Sequence, residues 1–448
     1  MKDLTKGSIS KHILVIAVPV AFGLFTQVAY QLINLYFLTR IGSVAVAGVN
    51  VAGTVIFIVM ALTQVLGVGT ASLVSYAAGR NRPADANLAF NQSIMLSAVC
   101  GVLTLLLLYA FMGVYMRWVA TDAGTIQAGL TYMRWALPGV ALMCPWTVVA
   151  AALRGSGIVR PTIVIYTLTL VVDAILAPIL IVGWGTGVAM GVQGAGLAYS
   201  ISISIGVAAL SVYFHRVEKY IVLTPSLMHP KLRQWRRVLS IGLPAGTEFA
   251  LVFFSTAIAY YAIRSFGPSA QAGLGIGTQV VQTILLPGIA IAVAAGPIAG
   301  QSFGAEDGKR VKETFRNAIL IGTAAMILTT LLVQRWSDGL LAMFDADDSA
   351  IAIASLFLQL RSWGFVAQGL GYVCSSMFQS LGNTMPALIS SAVRFLLFSV
   401  PAVWLSAQPD FRIEQVWYLW VASVTLHAVI GLWMLRVEFQ RRLTPTTI

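Results

Sequence analysis

Charge is what this chain lacks most. Only 10% of its 448 residues are Asp, Glu, Lys or Arg, against 58% hydrophobic residues and a mean hydropathy of +0.84. A soluble domain carries about 25% charged residues, so this chain cannot clothe itself for water. Cysteine is scarcer still. Cys100, Cys144 and Cys374 stand isolated in apolar segments, which excludes a disulfide framework and leaves them as core residues. The four histidines, at 12, 215, 229 and 427, give no expected metal site, and none is expected near an acid inside an apolar segment. Without a constellation of His, Cys or paired acids, an enzyme is not expected, nor a resident cofactor. No filter-like motif argues for a channel. Met1–Lys11 is short and basic, and the apolar run after it is too long for a signal-peptide core, so no cleavable signal is expected.

Long apolar runs are what the chain has in abundance, each about 20 residues or more, the length a helix needs to cross a bilayer. Twelve spans are predicted, near 13–39, 45–78, 88–112, 126–152, 161–183, 191–214, 237–263, 270–303, 317–335, 350–378, 385–406 and 415–434. The runs do not alternate as the strands of a membrane barrel would. The expected fold is all-α: a polytopic membrane protein of twelve transmembrane helices.

The net charge of +12 is a topology signal rather than a nucleic-acid footprint. Of 28 basic residues, 20 fall in the termini and even-numbered loops, five in the odd-numbered loops, and three (Arg134, Arg361, Arg394) inside spans. This positive-inside bias predicts a multi-pass protein with both termini in the cytoplasm.

The chain also repeats itself at an offset of 225 residues. Ile16, Pro19, Gly42, Ala45, Ala47, Gly48, Gly79, Gly139, Gly157 and Pro161 fall on Ile241, Pro244, Gly267, Ala270, Ala272, Gly273, Gly304, Gly364, Gly382 and Pro386. These residue types punctuate backbone, at kinks, helix ends and close contacts. The expected organisation is an N-lobe at 1–214, a polar cytoplasmic linker at 215–236 and a C-lobe at 237–448. Each lobe has six helices, and a pseudo-two-fold along the membrane normal relates them. Gly79-Arg80-Asn81-Arg82 and Gly304-Ala305-Glu306-Asp307 are matching polar approaches to the next span. Parallel lobes of this kind suit alternating access.

Of 16 acids, two are expected within spans: Asp173 in the fifth and Glu248 in the seventh. An ionisable group at membrane depth is costly and normally faces a partner or a cavity. Asp173 shares a helix face with Thr169, Tyr166 and Thr162, and the first span carries Gln27, Gln31 and Asn34 with Thr26 and Tyr30. These residues surround either a proton or cation site or an interhelical hydrogen-bond cluster. Glu248 follows Gly242-Leu243-Pro244-Ala245-Gly246, and it either pairs with Arg394, the only other deep charge expected in the C-lobe, or serves transport. Gln368, Tyr372, Ser375 and Gln379 share one face of the tenth span, and Thr278, Gln279 and Gln282 lie in the eighth. Such uncharged polar stripes suit an amphipathic ligand.

At this point the sequence resembles the multidrug and toxic compound extrusion (MATE) family over essentially its whole length. The resemblance rests on Pro19, Arg40-Ile41-Gly42, Gly79, Val192-Gln193-Gly194-Ala195-Gly196-Leu197-Ala198, Gly242-Leu243-Pro244, Pro297–Ala305 and Gln379–Pro386, in that order. It implies two six-helix bundles around a central cavity and export of cationic or amphipathic compounds driven by Na⁺ or H⁺. The coupling site departs from the family pattern. Asn34 stands where members have Asp near the end of the first span, and Ala177 stands where an Asp precedes the proline of the fifth. Asp173 occupies the position of the accompanying Asn, and the tenth-span acid of some members is missing.

The expected function is therefore a monomeric exporter of small organic compounds coupled to H⁺ rather than Na⁺. Asp173, Asn34, Gln31, Thr169 and Tyr166 are the coupling candidates. Glu248, Gln27, Tyr30, Gln279, Gln282, Gln368, Tyr372, Ser375 and Arg394 are the substrate candidates. The alternatives are a dedicated metabolite exporter, a lipid-linked precursor flippase, or a non-transporting sensor on a transporter fold. Expected partners are the bilayer and small molecules, not nucleic acid.

Overall fold

The computed structural model describes residues 2–120, 122–216, 218–344 and 347–443, without the side chains of Gln31 and His215. The described residues form fourteen α-helices. The first seven are Ile9–Thr39 (α1), Ser43–Gly79 (α2), Pro83–Val119 (α3), Ala123–Gly155 (α4), Arg160–Ala177 (α5), Val192–Arg216 (α6) and Leu232–Ala262 (α7). The others are Pro268–Ile284 (α8), Leu286–Gly304 (α9), Gly308–Leu341 (α10), Asp348–Ser362 (α11), Phe365–Ser380 (α12), Met385–Leu405 (α13) and Ile413–Leu443 (α14). Eleven are long and apolar enough to cross a membrane, and the bent pair α11–α12 makes twelve spans.

Local chemistry sets the ends. Prolines open α3, α5, α8, α9 and α13, where a missing N–H costs nothing. Asp122 accepts the Thr125 backbone N–H and Asp307 that of Arg310. The Thr125 bonds hold the Asp122 carboxyl below the usual carboxylate range. The 225-residue offset is written in the backbone as well. Among the described residues the two non-glycines in left-handed conformation are Asn81 (φ 55°) and Glu306 (φ 61°), which are repeat equivalents. Gly157 (φ 76°) and Gly382 (φ 70°), also equivalent, need the same region, which only glycine enters cheaply.

Two expected spans are not continuous. The eighth, read as 270–303, is broken at Leu285, where Pro287 starts a fresh helix, α9. The tenth, read as 350–378, bends by 59° between α11 and α12. Their repeat counterparts, α2 and α4, run unbroken through 37 and 33 residues.

The chain divides into two compact units. Unit 1 comprises Met1–Lys2 and Phe22–Gly242, and unit 2 comprises Asp3–Ala21 and Leu243–Ile448. Segment 215–236, expected as a linker, packs within unit 1 through three amides of α3. Asn87 donates to Tyr220 O and accepts from Val222 N. Asn91 donates to Val222 O and accepts from Thr224 N. Gln92, fully buried, donates to Leu227 O and His229 O and accepts from Lys231 N. In unit 2, Leu4 is buried, its N–H donating to Gln301 Oε1 and its carbonyl accepting from Arg310. The core of unit 2 centres on Phe357, Trp417, Trp420 and Phe398, with Phe357 and Trp417 edge to face at 4.8 Å.

Candidate coupling and substrate sites

In unit 1 the fifth-span arithmetic holds: Thr162, Thr169 and Asp173 are all buried on one face of α5, with Tyr166 half-buried. Asp173 is 0% exposed. Asn34 Nδ2, on α1, donates to its Oδ2 at 2.6 Å. The Tyr30 and Ser202 hydroxyls stand beside the same carboxylate. Neither hydroxyl, nor Asp173 Oδ1, completes a hydrogen bond of good geometry, so three buried polar groups face one another with donors to spare. Tyr199 packs edge to face on Tyr30 at 5.9 Å, and Tyr132 also lies within electrostatic reach of Asp173. Helices α4 and α6 thus supply Tyr132, Tyr199 and Ser202, none of which helical spacing had tied to Asp173.

Two other coupling candidates, Thr169 and Tyr166, are occupied elsewhere. Thr169 Oγ1 donates back to Tyr166 O within α5, and the Tyr166 ring meets Trp146 edge to face at 5.0 Å. Gln27 is exposed, and the Gln31 side chain lies outside the described residues. Ala177, where the resemblance expects an acid, is fully buried ahead of a π-helical turn at Pro178–Val182.

In unit 2 the Glu248–Arg394 ion pair, one of the two readings of that acid, is not found among the described residues. Glu248, half-buried on α7, accepts instead from Ser375 Oγ at 2.6 Å and Ser391 Oγ at 3.3 Å. Ser391 Oγ also lies 3.3 Å from His427 Nε2. A hydroxyl has one proton to give. If it goes to Glu248, His427 must donate through Nε2–H, which fixes its tautomer. His427 is thus linked to an acid, contrary to the expectation for the four histidines. An intervening serine on another helix hid the link. Gly371 makes room for the ring, since a Cβ there would stand 3.0 Å from His427 Nδ1.

Arg394 is not the only deep cation of the C-lobe. Arg361 is 3% exposed and Arg394 7%, and the two lie within electrostatic reach of each other and of Tyr372. Arg361 Nη2 donates to Gln368 Oε1 at 3.1 Å. Of the expected α12 stripe, Gln368 and Ser375 are buried, and Tyr372 and Gln379 are half-buried. In the broken eighth span Gln279 is half-buried but Gln282 is exposed. A cavity of about 420 Å³ lies elsewhere, lined by Lys312, Phe315, Leu432, Arg436, Phe439 and Gln440, and none of the candidates lines it.

The MatE family model matches this chain twice, over residues 19–179 and 244–405, so its two matches begin one repeat apart. The chain is 21% identical to a probable multidrug resistance protein, YpnP, of Bacillus subtilis over 89% of its own length and 88% of the relative's. It is 20% identical to the multidrug export protein MepA of Staphylococcus aureus, with 96% and 95% covered. It is 20% identical to a protein of Shewanella oneidensis described as an FAD transporter, with 92% and 91% covered. Among solved structures, an outward-facing multidrug resistance MATE family transporter of the MOP superfamily superposes with a TM-score of 0.90 at 20% identity, covering 98% of this chain and 97% of that one.

Proposed function

This chain belongs to the MATE family of membrane transporters, and from that premise we propose that it exports amphipathic or cationic organic compounds in exchange for protons. One observation carries the proton: Asp173 is a fully buried carboxylate bonded to an amide, Asn34, where the family resemblance implies a second acid. Sodium needs several oxygens and gains from dense negative charge. One carboxylate with an amide and hydroxyls around it exchanges a proton more readily than it holds Na⁺. In this reading Asp173 takes up a proton from outside as substrate leaves and gives it up inside. Asn34 steadies the charged form, while the Tyr30 and Ser202 hydroxyls are close enough to turn toward either form. Glu248, with Ser375 and Ser391, is the C-lobe acid that reads substrate charge or a second proton.

The protein works as a monomer by alternating access in the inner membrane. The 20-to-five bias of basic residues supports cytoplasmic termini. Reconstituted proteoliposomes test the coupling: an imposed pH gradient should drive efflux of an organic-cation dye, and an imposed Na⁺ gradient at constant pH should not. Efflux driven only by Na⁺ would refute proton coupling.

A dedicated metabolite exporter is the second reading. It is favoured by the two buried arginines and by the resemblance to an FAD transporter. A strict response to one metabolite across a compound panel would select it. Absence of flux with every compound and either gradient would select a non-transporting sensor.

A further inference from the structure

The bend between α11 and α12 gathers positive charge without a carboxylate at ion-pairing distance. Helix α12 starts at Phe365 behind Gly364, with no side-chain cap on its first amides. A helix interrupted in mid-span turns its N-terminal N–H groups and positive dipole end toward the break. Arg361, 3% exposed, sits at this break. Its Nη1 lies 2.9 Å from where a Cβ on Gly364 would stand, so the guanidinium is pressed against the start of α12. Only Nη2 is bonded, to Gln368 Oε1, while Nε and Nη1 have no partner. Trp420, whose ring lies 5.4 Å from the guanidinium, also has an unpartnered Nε1–H. Arg394 adds a second buried cation within electrostatic reach of Arg361, and Glu248 lies within reach of Arg394 without pairing with it. Among the described residues neither arginine has a carboxylate at ion-pairing distance.

Buried cations with spare N–H groups are costly unless an anion joins them. Stacking of Arg361 on Trp420 and Phe365 offsets part of that cost but satisfies no N–H. Arginine guanidinium groups and helix N-termini both favour oxyanions.

We propose that Arg361, Arg394 and the N-terminal turn of α12 form an oxyanion subsite for a carboxylate or phosphate group on an amphipathic molecule. That the molecule is cargo rests on the export reading; the subsite itself does not. It adds to the substrates amphipaths that carry an anionic group, alongside the cationic compounds that Glu248 would read.

Equilibrium binding to the detergent-solubilised full-length protein tests this without any gradient. The probes are 1-pyrenebutyrate, its methyl ester and inorganic phosphate. The acid should bind at least about tenfold more tightly than the ester. Arg361→Gln and Arg394→Gln should each remove that preference, so that acid and ester bind alike. Inorganic phosphate that displaces the acid would show that the subsite also takes a free anion. Failure to displace it would confine the subsite to anionic groups on amphipaths. Equal affinity for acid and ester, or a preference kept in both variants, would overturn the proposal. If Arg361→Gln fails to fold, Gly364→Ala serves, because its methyl displaces the guanidinium while the charge stays; an unchanged preference there would likewise overturn it. Binding without export would refute the export reading and leave the subsite standing.

Discussion

Asn34 Nδ2 donates to Asp173 Oδ2 at 2.6 Å, joining α1 to α5 across 139 residues of sequence. By the family resemblance, the amide stands where a second carboxylate is expected. Asn34→Asp would put two carboxyls in contact, and two such groups either share a proton or gather a cation. The variant should therefore acquire Na⁺-stimulated efflux in proteoliposomes while losing part of its pH-driven rate. A variant indifferent to Na⁺ would undercut the reasoning from carboxylate number to ion.

Glu248 is held by two serines rather than by an arginine, and that makes it sensitive to small changes. Ser375→Ala removes the shorter bond and should cost about 1.5–3 kcal/mol, the usual scale for a hydrogen bond to a charged group. In a Glu248→Gln background the same change should cost about 0.5–1.5 kcal/mol, so the two substitutions are non-additive. Chemical denaturation of the four proteins gives the coupling. Strict additivity would mean that the serine does not serve the acid.

Glycine sets the approach of helices within unit 1. A Cβ on Gly242 of α7 would overlap the Val65 carbonyl of α2, and neither backbone can yield. Gly242→Ala should destabilise by about 1–3 kcal/mol or more, read as a lower Tm. Gly53, also in α2, has nothing within 4 Å of its would-be Cβ. Gly53→Ala should leave Tm unchanged or raise it, as alanine favours helix by up to about 1 kcal/mol. Equal effects would show that the α2–α7 approach is not close in solution.

Gln92 alone contributes three hydrogen bonds to segment 227–231. Gln92→Ala should loosen that segment and speed tryptic cleavage around Lys219 and Lys231 by about tenfold, with Gln92→Glu intermediate. Unchanged cleavage would mean that Asn87 and Asn91 hold the segment unaided.

The twelve spans and the repeat were legible because hydropathy and backbone punctuation are local properties. Even the φ values of Asn81 and Glu306 follow the offset that Pro19 and Pro244 announce. The broken spans were not legible. A break of one or two residues at Leu285 or at Trp363–Gly364 barely alters an average over twenty, and Gly364 matches Gly139, which lies inside an unbroken helix. Helical arithmetic found the faces of Asp173 and of Gln368–Gln379, since spacing fixes which residues share a side. Spacing does not tell which helix comes opposite. Ser202, Tyr199 and Tyr132 around Asp173, and Ser391 and His427 beyond Glu248, are contributions from distant segments. Arg361 was visible as a charge inside a span; the bend that buries it was not.

Proton movement during export by Asp173→Asn protein bears most directly on the function proposed here. The measurement is pH-gradient-driven dye efflux from proteoliposomes, with internal pH followed alongside and dye binding checked in detergent. Asp173→Asn is expected to bind dye as the unsubstituted protein does, yet to show neither gradient-driven efflux nor export-linked proton entry. Efflux and proton entry at the unsubstituted rate would contradict Asp173 as the coupling carboxylate.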